Sequence, residues 1–206
     1  MSKVVFDIDG VVIDILSMIL DMYNESFDKE YRCKDIQEWN LSDLPLSKEE
    51  ITDLFYEAYM IPEDKLKYYA GGADLLKKHQ KDEVFFITGR DKEYNYYTRR
   101  AIDFVLKDNS LKLDYSLYNS KTKYDDFEDI YRVCETYYED SPYIFKKLYQ
   151  VNKKGFLVAH NYNKDLWDEF PIISVCNERQ SCFNRIYNKE DYICQSRPMR
   201  EHLDER

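Results

Sequence analysis

Val4-Val5-Phe6-Asp7-Ile8-Asp9-Gly10-Val11-Val12 constrains this chain more than any other stretch. An apolar, β-branched run reads as a buried strand, and Gly10 allows a sharp turn out of it. Asp7 and Asp9 then lie at the C-terminal end of that strand, where open α/β sheets bind ligands. Two carboxylates this close repel each other and are costly to bury together. A divalent cation removes that cost, and Mg²⁺ favours oxygen ligands of this kind.

Helix and strand signals alternate along the rest of the chain. Residues 3–9 read as the first strand. From residue 13 the pattern turns helical, with Leu16, Ile19, Leu20, Tyr23 and Phe27 at helical spacing. A polar stretch covers 31–45. Ser47, with Glu50 three residues on, is a capping-box start for a helix to about residue 60, ended by Pro62. A short helix follows near 63–69. Gly71-Gly72 is the strongest punctuation in the chain, placing the next helix at 73–79 and a buried strand at 84–87. Helices at 93–107, 124–134 and 143–150 alternate with strands at 115–118, 136–138, 156–159 and 172–175. This alternation implies βαβ units and a mostly parallel sheet, an α/β fold. Residues 1–13 and 71–206 form the core, and 14–70 is a helical insert after the first strand. Residues from 177 onward carry no readable pattern, and the charged end, 199–206, is expected to fray.

Composition excludes several classes of function. The net charge of −10 disfavours duplex nucleic acid, whose phosphates attract a basic stripe. It leaves room for a small phosphate ester, because a metal ion inverts the local field. No apolar run approaches the length of a membrane span, and the N-terminus carries no export signal. Cys33, Cys134, Cys176, Cys182 and Cys194 are odd in number and fit no zinc spacing. They read as reduced thiols, which implies a cytoplasmic setting. The twenty tyrosines are scattered and read as half-buried amphipathic residues. His79, His160 and His202 read as structural or surface residues.

Three further stretches carry chemistry. Phe85-Phe86-Ile87-Thr88-Gly89-Arg90 is an apolar strand ending in a hydroxyl residue and a glycine. Such a side chain and the backbone N–H groups after it can hold a phosphate oxygen. Arg90 is open to two readings, a phosphate contact or a solvated arginine. Lys121 and Lys123 lie between the 115–118 strand and the next helix, whose N-terminus favours anions. Lys121 stands closer to the strand end. Glu139-Asp140-Ser141-Pro142 closes another strand with paired acids, and Pro142 suits the first turn of a helix.

In this order, Asp7-Ile8-Asp9-Gly10, Thr88-Gly89, a lysine and Glu139-Asp140 resemble the four motifs of the haloacid dehalogenase (HAD) superfamily of phosphohydrolases. The resemblance spans about residues 3–165. It implies a Rossmann-like core with a small helical cap, 14–70. It further implies Asp7 as nucleophile, Asp9 as general acid and base, and Thr88, Gly89 and Lys121 or Lys123 as phosphate ligands. Mg²⁺ would be held by Asp7, Asp9 (through its carbonyl) and Asp140, with Glu139 behind them. Asp21-Met22-Tyr23-Asn24, residues 33–41 and residues 69–76 are similar to the 5′(3′)-deoxyribonucleotidase family, as is His160-Asn161-Tyr162-Asn163. That narrower likeness implies a nucleotidase acting on (deoxy)ribonucleoside monophosphates. The chain departs from it at Glu139, where Asp is usual, and shows no base-holding set in 14–70.

Rival readings remain open. A phosphatase of another small ester or of a nucleic-acid terminus fits the same motifs, and a silent phosphate- or Mg²⁺-binding module keeps the same side chains. A response-regulator receiver also gathers acids, Thr and Lys around Mg²⁺. Its early acids are adjacent rather than alternating, and it has no long helical insert after its first strand.

Overall fold

The computed structural model describes residues 1–175; the cysteines at 176, 182 and 194, His202 and the expected fraying of 199–206 lie outside them. Six strands, β1 (Lys3–Phe6), β2 (Glu83–Thr88), β3 (Tyr115–Asn119), β4 (Thr136–Glu139), β5 (Gly155–Val158) and β6 (Ile172–Ile173), form one sheet. Every pairing is parallel, in the order β3-β2-β1-β4-β5-β6. The chain runs outward from β1 in one direction, then from β4 in the other. The boundary between β1 and β4 is therefore the topological switch point, where a crevice opens at the C-terminal strand ends.

Alternate residues of the central strands face opposite layers. Val4, Phe6, Phe86 and Tyr138 pack with α3 (Ala70–Lys78) and α4 (Asn95–Asp108) through Leu76, Ile102 and Val105. Val5, Phe85, Ile87 and Tyr137 pack on the other face with α5 (Lys123–Val133) and α6 (Pro142–Val151), through Tyr131, Phe145 and Leu148. Burial on both faces explains why these strands read as continuous apolar runs.

The segment between β1 and α3 holds α1 (Ile15–Phe27) and α2 (Lys48–Tyr59), with single 3₁₀ turns at Cys33–Asp35 and Glu63–Lys65. Asp14 caps α1 by accepting from Ser17 N–H, and Ser47 and Glu50 form the expected reciprocal box on α2. The short helix expected over 63–69 is reduced to one 3₁₀ turn. Apolar residues of this segment, Ile19, Tyr23, Ile36 and Leu44, join the cluster on the first sheet face.

Gly71-Gly72 does not break the chain. Both glycines lie inside α3, which begins at Ala70. A Cβ on Gly72 would stand 2.5 Å from the Val11 carbonyl oxygen, so the glycine is there for helix-to-loop contact. Its sequence signal was that of a turn; its physical role is close packing. The first strand ends earlier than the apolar run, at Phe6, because residues 8–13 curl into a turn in which Ile13 N–H and Val12 N–H both donate to the Ile8 carbonyl.

Candidate active site

Asp7 continues the ladder one step beyond β1, its N–H donating to the Tyr138 carbonyl at 2.9 Å. Glu139 ends β4 and Asp140 follows it. The switch point thus brings three buried carboxylates together: Asp7, Glu139 and Asp140 each offer an oxygen, all within 4.8 Å of one another. At an effective dielectric of about 20, two unit charges at that spacing repel by about 3.5 kcal/mol. Local donors relieve part of this. Ile8 N–H donates to Asp7 at 2.7 Å, Ser141 N–H to Glu139 at 3.0 Å, and the Tyr162 hydroxyl to Asp140. An all-carboxylate, all-oxygen set is the donor chemistry of a hard divalent cation, so the residues fit Mg²⁺.

Glu139 stands in this triad rather than behind it, and the Asp9 side chain stands outside it. Asp9 turns to Arg90, whose Nε and Nη2 donate to its two oxygens at 2.9 and 2.5 Å. Arg90 is buried, so the solvated reading of this arginine does not hold. Burial opposes the guanidinium charge, but the attraction and hydrogen bonds of Asp9 outweigh it and raise its pKa. The ring of Tyr59, at the end of α2, covers the guanidinium with its centroid at 4.2 Å. Burial, then the charge of Asp9, pushes the Tyr59 hydroxyl pKa up. Tyr59 also meets Tyr94 edge-on, and Tyr56 stacks on Tyr94 at 4.9 Å, so α2 rests on the segment that follows β2.

Thr88 ends β2 and is buried; its hydroxyl accepts from Arg90 N–H at 3.3 Å. Gly89 is exposed, with open space where a Cβ would go. Thr88 pairs in register with Asn119, the last residue of β3, whose buried Nδ2 has no hydrogen-bond partner. A cavity of about 560 Å³ beside it is lined by Asp91, Asn119, Ser120, Lys121 and Thr122. Lys121 is exposed and pairs with Asp91 at 2.8 Å. Lys123 opens α5; its side chain lies outside the described atoms.

The loop after β5 braces the site from below. His160 Nε2 lies 2.6 Å from the Gly10 carbonyl, and since a carbonyl only accepts, that nitrogen carries the proton. Burial lowers the His160 pKa, which favours the neutral ring. Asn163 donates to the carbonyls of Asp140 and Val158 and accepts from His160 N–H. Tyr162 stacks on His160 at 5.0 Å and reaches Asp140. Sequence reading singled out this four-residue stretch only as a resemblance. The physical signal was a cluster of hydrogen-bonding and aromatic residues at a strand end. Cys33 and Cys134 are free thiols, the second buried with its pKa pushed up to about 11, burial being the main cause.

The architecture is that of the haloacid dehalogenase-like hydrolases. A haloacid dehalogenase-like family hydrolase from Streptococcus pneumoniae superposes with a TM-score of 0.59 at 13% identity, covering 84% of this chain and 93% of that one. CbbY from Rhodobacter sphaeroides, solved in complex with phosphate, gives 0.51 at 14% identity, over 84% and 94%. A hydrolase from Pseudomonas syringae gives 0.52 at 10%, over 84% and 92%. These likenesses define the fold class. No family model matches the sequence, and no curated protein matches it. No helix among the described residues is long and apolar enough to cross a membrane.

Proposed function

We propose that this chain is a Mg²⁺-dependent phosphomonoester hydrolase working through an aspartyl-phosphate on Asp7. The observation that carries the reading is the buried Asp7–Glu139–Asp140 triad at the switch point, with Thr88 at the neighbouring strand end. Mg²⁺ would be held by Asp7, Glu139 and Asp140; when bound it offsets the repulsion between the carboxylates and an incoming phosphate.

The Asp7 carboxylate attacks phosphorus; the new bond is Asp7 oxygen to phosphorus, and the bond that breaks is phosphorus to ester oxygen. Asp9 delivers a proton to the departing alkoxide, then takes one from the water that cleaves the acyl phosphate. Thr88, Gly89 N–H and Lys121 or Lys123 bind the phosphoryl oxygens, so that positioning and charge stabilisation supply most of the rate. The helical segment 14–70 acts as a cap that shields the site from water, with Tyr59 its contact to Arg90, the partner of Asp9. CbbY was solved with phosphate, which supports a small phosphorylated substrate here. The sequence resemblance narrows this to a 5′-nucleotidase on nucleoside monophosphates. The polar cavity beside Asn119 has room for a sugar. Two free thiols among the described residues fit a reducing, cytoplasmic compartment.

The test is phosphate release from a panel of deoxy- and ribonucleoside monophosphates and a generic aryl phosphate, with Mg²⁺, alongside Asp7→Asn. Nucleotide-selective, Asp7-dependent release supports the full reading. Release from other esters alone keeps the chemistry and removes the nucleotidase. No release from any ester favours a silent binding module.

A further inference from the structure

Arg90 has a fully buried guanidinium whose two parallel donors are taken by one carboxylate, Asp9. This fork-to-fork geometry is equally the geometry in which arginine grips two oxygens of a phosphate. Its own backbone N–H holds the Thr88 hydroxyl, so the guanidinium belongs to the same turn as the phosphate-binding strand end. Among the described residues the remaining arm, Nη1, reaches Thr98 Oγ1 at 3.5 Å, and that hydroxyl donates elsewhere, to the Tyr94 carbonyl. Tyr59 closes one face of the guanidinium. The Asp9 side chain is 19% exposed against 1% for that of Arg90, so the carboxylate is the member of the pair that solvent reaches.

We infer that Asp9 occupies on Arg90 the place a substrate phosphoryl group takes, so the resting site is capped by its own acid. This rests on the phosphohydrolase reading above and adds an exchange to it. An arriving phosphoryl group takes over donors of Arg90, and the Asp9 carboxylate, released from the fork, can then take up from solvent the proton that it delivers to the ester oxygen of the leaving group. No bond is made or broken in the exchange; the guanidinium keeps its proton and changes its anionic partner. The arrangement couples release of Asp9 to the presence of an anion, and leaves an empty site with its acid engaged.

The coupling is measured by a double-mutant cycle with inorganic phosphate as the probe, in Mg²⁺ buffer. Affinity is read by calorimetry for the wild type, Asp9→Asn, Arg90→Gln and the double variant. Asp9→Asn is expected to tighten phosphate about tenfold or more, roughly the value of one charge-assisted hydrogen bond regained. Loss of a negative charge alone tightens any anion, so the control is the same substitution made on top of Arg90→Gln. There the gain is expected to fall below about threefold. Equal gains in both backgrounds overturn the exchange. If Arg90→Gln does not fold, Arg90→Lys keeps the charge without the fork, and the gain from Asp9→Asn should shrink in that background too; an undiminished gain overturns the inference. If phosphate binds and the cycle shows no coupling, this inference fails alone; if no member of the cycle binds phosphate, the phosphohydrolase reading fails with it.

Discussion

The Tyr162 hydroxyl donates to Asp140 Oδ2, an oxygen of the buried carboxylate triad. The bond holds the Asp140 carboxylate in place at the edge of the triad. Tyr162→Phe removes the donor and keeps the ring stacked on His160. Divalent-cation affinity is expected to fall about tenfold, in line with a hydrogen bond to a charged group. The melting temperature of the metal-free protein should move by only a few degrees. Calorimetric titration with Mg²⁺ and Mn²⁺ checks this; an unchanged affinity would show that Asp140 is positioned by other contacts.

Gly10 is required twice. Its φ is +77°, and a Cβ there would stand 2.3 Å from Asp140 Oδ2. Gly10→Ala therefore strains the backbone, costing about 1–2 kcal/mol, and displaces a carboxylate of the triad. The expected result is lowered stability in urea together with lost cation binding. Gly89→Ala is the control, since no atom lies within 4 Å of a Cβ there. If Gly10→Ala binds cation like the wild type, the crowding is relieved elsewhere and the argument fails.

A buried cluster of acids trades stability for binding. Glu139→Gln keeps the oxygen that accepts from Ser141 N–H while removing one charge from the triad. Without metal, repulsion is relieved and the melting temperature should rise. With metal, one anionic ligand is gone, so the stabilisation that Mg²⁺ brings by mass action should shrink. The two effects have opposite signs, which a general packing defect cannot produce. Melting curves in EDTA and in Mg²⁺ decide it; a drop in both would sink the triad as a cation site.

Much of this was legible in the sequence because it is local. The parallel sheet follows from βαβ alternation, and the carboxylates at Asp7 and Asp140 were readable because each stands at the end of a strand signal. The Ser47–Glu50 box was readable because its chemistry spans four residues. The pairing of Arg90 with Asp9 joins positions 81 apart and depends on which turns the sheet order brings together. No window of sequence contains that information. The resemblance places Glu139 behind the ligands because it makes the second acid of such a pair, Asp140, the metal ligand. At the end of β4 the chain turns sharply into α6, and both acids come to one side. Gly71-Gly72 misled because a glycine needed for close helix packing and one needed for a turn carry the same letter.

His160 gives the site brace a pH limit. Its ring is buried and donates through Nε2 to the Gly10 carbonyl, so the fold favours the neutral form and lowers the pKa from its usual 6.5. A depressed histidine pKa means the unfolded chain takes up the proton first. The stability that depends on neutral His160 is thus fully present above pH about 6.5 and is lost as the pH falls through and below it. The loss can reach about 1.4 kcal/mol per pH unit for one group. Carboxylates also titrate on the acid side, so the informative quantity is the difference from His160→Gln, which keeps an amide donor and does not titrate. Urea unfolding of both proteins at pH 7.5 and 5.5 should show the wild type losing more stability than the variant over that interval. An equal loss in the two would place the acid sensitivity on other groups and remove His160 as the limiting brace beneath Gly10.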